Sequence, residues 1–468
     1  MRRTRIVCTL GPASSSPAVL RQMVAAGMDV ARFNFSHGDA GTHHRAAAAV
    51  REAAVSLGRH VALLQDLQGP KIRTGRLSEP LVRLSRGRRL TLTAEPMAGN
   101  AELISVSHPE IVCALRPRDR VLMADGQIEL RVETAAGNRA TCVIIRGGLL
   151  GERKGITVPS RTIELPALTE KDHADLCTGA EIGVDYVALS FVRSPADVTA
   201  CRRALAALGL QTPVIAKLER AEALRNLRAI LACVDGVMVA RGDLGVELPL
   251  GALPPAQKDI IERANRLGPP VITATEMLES MVTSNRPTRA EASDVANAIW
   301  DGTDAVMLSQ ETSIGAHPVE AVRAMARICL AAEVHPSYQR AGSAWQPDSI
   351  GGAMSQAAAA IAVKLKARAI VAFTESGTTA RLVSKARPST PIIGASPHSA
   401  ILRRTALYAG VRPLLVPQGE DTDDMIAKAT AAAAAAGLVK RGDRLVFVAG
   451  VPVGKAGVTN LVKVEVVG

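Results

Sequence analysis

Eight short runs of apolar, largely β-branched residues recur along the chain, each followed by a segment with helical spacing. They are TRIVCTL (4–10), DVARFNF (29–35), VALLQDL (61–67), VDYVALSF (184–191), PVIAKLE (213–219), VDGVMVAR (234–241), PVITAT (270–275) and DAVMLS (304–309). A run that is apolar almost throughout suits a strand covered on both faces, as in a parallel sheet. The gaps carry amphipathic stretches such as PAVLRQMVAAG, DVTACRRALAALG and PTRAEASDVANAIW. Eight strand–helix units in succession predict an α/β chain built on a (β/α)8 TIM barrel.

The spacing breaks in two places. More than 110 residues separate the third run from the fourth. There, residues 70–166 carry strand-like alternation and Gly/Asp/Asn turns (LVRLSRGRRLTLTAEP, RVLMADGQIELRVETAAGNRATCVIIRGG). This predicts a small β-barrel lid domain inserted on the active-site side, splitting the barrel into 1–69 and 167–340. Past the breaks HPS and WQPDS, residues 341–468 alternate helices with ARAIVAFT, TPIIGAS and RLVFVAG, a C-terminal α/β domain. The tract KATAAAAAAG is read as an ordinary helix ending at Gly437.

Composition narrows the function. The chain is 47% hydrophobic and only 2% aromatic, so its core is built from Ala, Val, Leu and Ile. A net charge of +12 is dispersed, with few aromatics to stack on bases. That argues against nucleic acid and suits small anions. No apolar run approaches the roughly 20 residues of a membrane span, and IVCTL is too short for a signal sequence. The seven cysteines form no CxxC pair, so a cytoplasmic protein with reduced thiols and no zinc is expected.

Chemistry in such a barrel sits at the C-terminal ends of the strands. Polar residues gather there: Arg32, Asn34 and Ser36; Asp66, Lys71 and Arg73; Lys217 and Glu219; Arg241 and Asp243; Thr275 and Glu276; Ser309 and Glu311. Lys217 and Glu219 alternate, so both point the same way from their strand. Glu219 and Asp243 are two carboxylates on neighbouring strands, a pair suited to magnesium together with substrate oxygens and water. The glycines of ARGDLGVE let a ligand approach the backbone. Cations, carboxylates and backbone donors at one mouth match phosphoryl transfer, where catalysis is mostly positioning and charge neutralisation.

These residues closely resemble the pyruvate kinase family over essentially the whole chain. The motifs are RIVCTLGPASS, GMDVARFNFSHG, GPKIRTG, VIAKLE, VMVARGDLGVELP, ATEMLESM, RPTRAEASDVANAIWDGTDAVMLSQET and TESGTTARLVSKARP. The resemblance implies glycolytic transfer of the phosphoryl group of phosphoenolpyruvate to ADP, giving pyruvate and ATP. Magnesium, or manganese in its place, would be held by Glu219 and Asp243. Arg32 would bind the transferring phosphate and Lys217 stabilise its charge and the enolate. Gly242, Asp243 and Thr275 would hold the substrate carboxylate. Arg73, Lys154 and Asn34 would meet the nucleotide. Thr275, Ser309 and Glu311 are alternative routes for the enolate's proton. A homotetramer is implied, with a phosphorylated metabolite effector bound at Thr374, Ser376, Gly377, Thr378 and Thr379. A different magnesium barrel, such as an aldolase, and a catalytically dead binding protein are the rivals; the lid and the intact Lys217, Glu219 and Asp243 argue against them.

One motif departs from the family. Potassium-using members read DTKGPEIR, with oxygens from the equivalents of Asn34, Ser36 and Asp66 around the ion. This chain reads DLQGPKIR, with Leu67, Gln68 and Lys71 at the changed positions. A lysine ammonium is a compact charge with three donors. Lys71 is therefore expected to serve as an internal monovalent cation beside Asn34, Ser36 and Asp66, with no potassium required. Glu276 and Gln310 also differ, where glutamine and glycine are usual.

Overall fold

The computed structural model describes residues 2–159, 161, 165–340, 345, 347–452, 454 and 457–468, the side chains of 339 and 340 excepted. All eight apolar runs form strands: Arg5–Thr9, Val30–Asn34, Ala62–Asp66, Tyr186–Leu189, Val214–Leu218, Gly236–Ala240, Val271–Ala274 and Ala305–Leu308. They pair in parallel, and the first also pairs with the eighth, closing a barrel. Alternate residues explain why the runs are apolar throughout. Leu64, Ile215, Met238 and Ile272 fill the interior, while Leu63, Val214, Val237 and Val271 pack under the helices. The helix Arg289–Asp301 opens with a capping box of Thr288 and Glu291 and closes at Gly302, where φ is +102°.

The inserted segment wraps two sheets around one core. One sheet has six strands, in the order Ile156–Thr157, Arg120–Met123, Ile128–Ala136, Arg139–Arg146, Arg89–Thr93 and Leu103–Ser105. The other pairs Leu81–Leu84 with Gly148–Gly151. Leu84, Leu90, Val121, Leu130, Ile144 and Leu150 are buried between them. The chain enters and leaves this lid side by side: Arg73 bridges to Gly155, and the Thr74 N–H donates to the Lys154 carbonyl at 2.8 Å.

The C-terminal domain holds a five-stranded sheet in the order Val411–Leu415, Ile392–Ser396, Ala369–Phe373, Arg444–Ala449 and Leu461–Val466, with only the last pair antiparallel. The two outer strands were not among those expected; one carries Pro413, which an edge tolerates. The helix Thr378–Lys385 ends in the barrel floor. There Lys385 Nζ lies 2.6 Å from Asp304 and donates to Asn265 Oδ1 at 2.9 Å, while Arg381 donates to the Gly268 carbonyl at 2.7 Å. Burial pulls the Lys385 pKa down to about 8 despite Asp304. No described helix is long and apolar enough to cross a membrane.

Candidate active site

The strand ends assemble a continuous charged network. Arg32 donates to Asp66 Oδ2 at 2.6 Å and to Thr9 Oγ1 at 2.8 Å. The other Asp66 oxygen is 3.1 Å from Lys217 Nζ. Lys217 also donates to Ser190 Oγ at 2.7 Å and lies 2.8 Å from Glu219 Oε1. Glu219 Oε2 accepts the Phe191 N–H at 2.8 Å. Phe191 has φ +56°, a strained value for a bulky residue, and this turn aims its N–H at the carboxylate. Ser190 follows the fourth strand and went unremarked in the sequence, although the strand-end rule that selects Asp66 also selects it.

Burial and pairing compete at each group. Burial opposes the charge on Lys217, but Asp66 and Glu219 outweigh it and hold the ammonium above the ordinary lysine range. Burial pushes Asp66 up, while Lys217 and Arg32 bring it below the usual carboxylate range. For Glu219 burial prevails over Lys217, Asp243 adds to it, and the carboxyl sits above its ordinary range. Asp243, in the first turn of the helix Arg241–Glu247, is 39% exposed at its side chain and faces the cleft. A buried and an open carboxylate on adjacent elements are hard oxygen donors that fit magnesium. No three metal-ligating side chains converge among the described residues, so a metal there would take its remaining ligands from substrate and water.

Thr275 and Glu276 both have positive φ, +65° and +53°. Arg241 holds that turn: its guanidinium donates to the Thr275 carbonyl at 2.6 Å and the Glu276 carbonyl at 3.1 Å and pairs with Asp294 at 2.6 Å. It belongs to the scaffold rather than the mouth. The Gly242 N–H donates to Thr275 Oγ1 at 2.8 Å.

Glu311 is fully buried, and its oxygens accept the N–H groups of Leu278 at 3.0 Å and Ser309 at 2.6 Å. It ties two active-site loops together. Ser309 Oγ is buried without a hydrogen-bond partner among the described residues.

Lys71 lines the cleft between barrel and lid, with its Nζ 3.7 Å from Asp243 Oδ1. Its ion partner is thus Asp243, not the expected Asp66. Asn34 Oδ1 accepts the Ser36 N–H at 3.1 Å, and the Leu67 carbonyl accepts from Ser190 Oγ at 2.7 Å. Arg73 and Lys154 sit on the two facing passes into the lid; Arg73 donates to the Arg153 carbonyl at 3.1 Å. In the C-terminal domain Thr374, Ser376, Thr378 and Thr379 line one pocket with Gly450 and Gly457. Gly377, at φ +93°, donates its N–H to Thr374 Oγ1 at 2.8 Å, and Thr379 is turned toward Thr459 at 2.8 Å. In the stretch VPVGKAGVTN (451–460), residues 453 and 455–456 lie outside the described residues.

A TIM barrel with cations and carboxylates joined at its mouth, under an inserted β lid, is the frame of a phosphotransferase. Residues 1–322 match the family model for the pyruvate kinase barrel domain, and residues 352–465 that for the pyruvate kinase alpha/beta domain. Pyruvate kinase 2 of Synechocystis is 47% identical over the whole chain, which spans 79% of that protein. The pyruvate kinase of Mycobacterium tuberculosis is 44% identical, with 100% of this chain and 99% of that one aligned. A crystal structure of pyruvate kinase from Cryptosporidium parvum superposes with a TM-score of 0.94 at 37% identity, covering 100% of this chain and 96% of that one. The chain belongs to the pyruvate kinase family: it is a transferase that moves the phosphoryl group of phosphoenolpyruvate, leaving pyruvate.

Proposed function

We propose that the reaction uses magnesium held by Glu219 and Asp243, delivers the phosphoryl group to ADP, and needs no potassium. The observation that carries this reading is the network Arg32–Asp66–Lys217–Glu219 beside the open carboxylate of Asp243. Bound there, the metal would supply positive charge that offsets the charge of the substrate. Arg32 and Lys217 bind the transferring phosphate, and Lys217 holds the enolate oxygen as negative charge develops. Gly242, Asp243 and Thr275 orient the substrate carboxylate. Arg73, Lys154 and Asn34 receive the nucleotide. Of the three proton candidates, Thr275 is favoured, because Glu311 is committed to backbone amides and Ser309 Oγ is buried.

The potassium-free reading rests on Lys71, a fixed cation in the cleft where potassium-using members carry glutamate. It is supported by two of the oxygens that would face the ion: Asp66 and Asn34 Oδ1 both have protein donors. Pyruvate formation with magnesium in an organic-cation buffer, with and without potassium, tests it. Wild type is expected to be fully active in both; Lys71→Glu is expected to lose activity and regain part of it with potassium. Wild-type activity only with potassium would refute the role of Lys71. The same reading places a phosphorylated effector in the pocket of Thr374–Thr379, a homotetramer in solution, and the enzyme in the cytoplasm.

A further inference from the structure

A cavity of about 100 Å³ lies where three parts of the chain meet, away from the barrel mouth and from the pocket at 374–379. Its walls include Arg3, ahead of the first barrel strand, Tyr338 from the helix Pro336–Arg340, and Ser384, Arg387, Thr390 and Gly410 of the C-terminal domain. No acidic side chain is among its described lining residues. The Arg3 and Arg387 guanidiniums each lie 5.7 Å from the centre of the Tyr338 ring, which is itself buried.

The carboxylates nearest the cavity are already engaged. Arg3, Arg387 and Lys385 are cations; Asp304 and Glu333 are the carboxylates beside them. Asp304 is shared, 2.6 Å from Lys385 and 3.4 Å from Arg387. Glu333 is taken up by the backbone N–H groups of Arg3 and Thr4, at 2.8 Å and 2.6 Å. Arg3 also donates to the Ser389 carbonyl at the exposed edge, whereas Arg387 is buried, where a cation short of acceptors is costly. Arg387 Nη1 finds no hydrogen-bond acceptor among the described residues, although the side chain is only 2% exposed.

We propose that this cavity binds one free tetrahedral oxyanion, inorganic phosphate or sulfate, between Arg3 and Arg387. The guanidinium fork matches such an ion. A tetrahedral oxyanion is small enough to sit between the two guanidiniums that flank the Tyr338 ring. The ion would fasten the N-terminal segment to the C-terminal domain, and through Arg387, which also donates to the Gly302 and Thr303 carbonyls, to the foot of the eighth barrel strand.

Two measurements test this. Calorimetric titration with inorganic phosphate is expected to show a component weakened at least tenfold in Arg3→Met, a variant that touches neither the barrel mouth nor the 374–379 pocket. Crystals grown with selenate are expected to show an anomalous peak between Arg3 and Arg387, absent in Arg3→Met. Arg387→Met is a second probe, but Arg3→Met decides the matter if that variant does not fold. Phosphate binding unchanged in Arg3→Met overturns the proposal. A peak in crystals without the Arg3-dependent component in solution overturns it too, as an adventitious ion only. Displacement of that component by a sugar phosphate would overturn the free-ion reading.

Discussion

Replacing Lys217 with methionine is expected to make metal binding depend on pH. In the native site the ammonium is 2.8 Å from Glu219 and 3.1 Å from Asp66. At an effective dielectric of about 20, an ion pair at that closer distance is worth about 6 kcal/mol. Asp66 keeps Arg32 when Lys217 is gone; among the described residues Glu219 keeps only the Phe191 N–H. Burial already holds Glu219 above the usual carboxylate range. Without its cation the carboxyl is pushed further up, and a metal must displace a proton to bind. Manganese affinity, followed by electron paramagnetic resonance from pH 6 to 8.5, is expected to fall about tenfold per pH unit on the acid side in Lys217→Met, while wild type changes little. The rate should drop about 100- to 1000-fold, as when a preorganised donor to developing charge is removed. A pH-independent, wild-type manganese affinity in Lys217→Met would refute the reasoning, because Glu219 would then have stayed ionised unaided.

Glu311→Gln sets an amide NH2 against one of the two backbone N–H groups that the carboxylate accepts. It should destabilise the protein by about 2–3 kcal/mol, seen as a lower melting temperature, with the pH profile of kcat unshifted; a shifted profile would restore Glu311 as a proton carrier. Lys385 has a folded pKa of about 8, below its unfolded value. Above about pH 8 the folded chain therefore binds fewer protons than the unfolded one, so its contribution to stability rises with pH up to about 10.4, by about 3 kcal/mol in all. Melting temperatures from pH 7.5 to 10 should show this rise in wild type relative to Lys385→Met; parallel curves would count against it.

The barrel was legible because double-sided burial leaves a strong mark. Every residue of Val271–Ala274 and Ala305–Leu308 is buried, and the one polar residue among them, Thr273, bonds to Thr303 Oγ1 at 2.9 Å. Lys217, Glu219 and Asp243 were legible because charge at the end of a buried run is costly unless a partner or a ligand compensates it. What depends on loop path was not. The sequence places Arg241 at the mouth, but the left-handed turn at Thr275 and Glu276 brings their carbonyls around its guanidinium. Glu311 reads as a free acid until Leu278, far away in sequence, is seen to donate to it. Lys71 follows a Gly-Pro turn whose direction local residues do not fix, and its partner Asp243 lies far along the chain. Strands Val411–Leu415 and Leu461–Val466 were hidden because outer strands are covered on fewer sides and need no apolar run.

The paired crossing at Thr74 and Lys154 makes the lid a detour that begins and ends at one place. The third and fourth barrel strands pair directly, Leu64 opposite Tyr186, without help from anything between residues 75 and 153. Lengthening a flexible connection from about 20 to about 120 residues adds only about 1.6 kcal/mol of closure entropy. A gene encoding this barrel could therefore acquire, exchange or lose such an insert at a single splice position without redesigning the barrel's closure. Arg73 and Lys154, flanking that position, would arrive and depart with it as a pair.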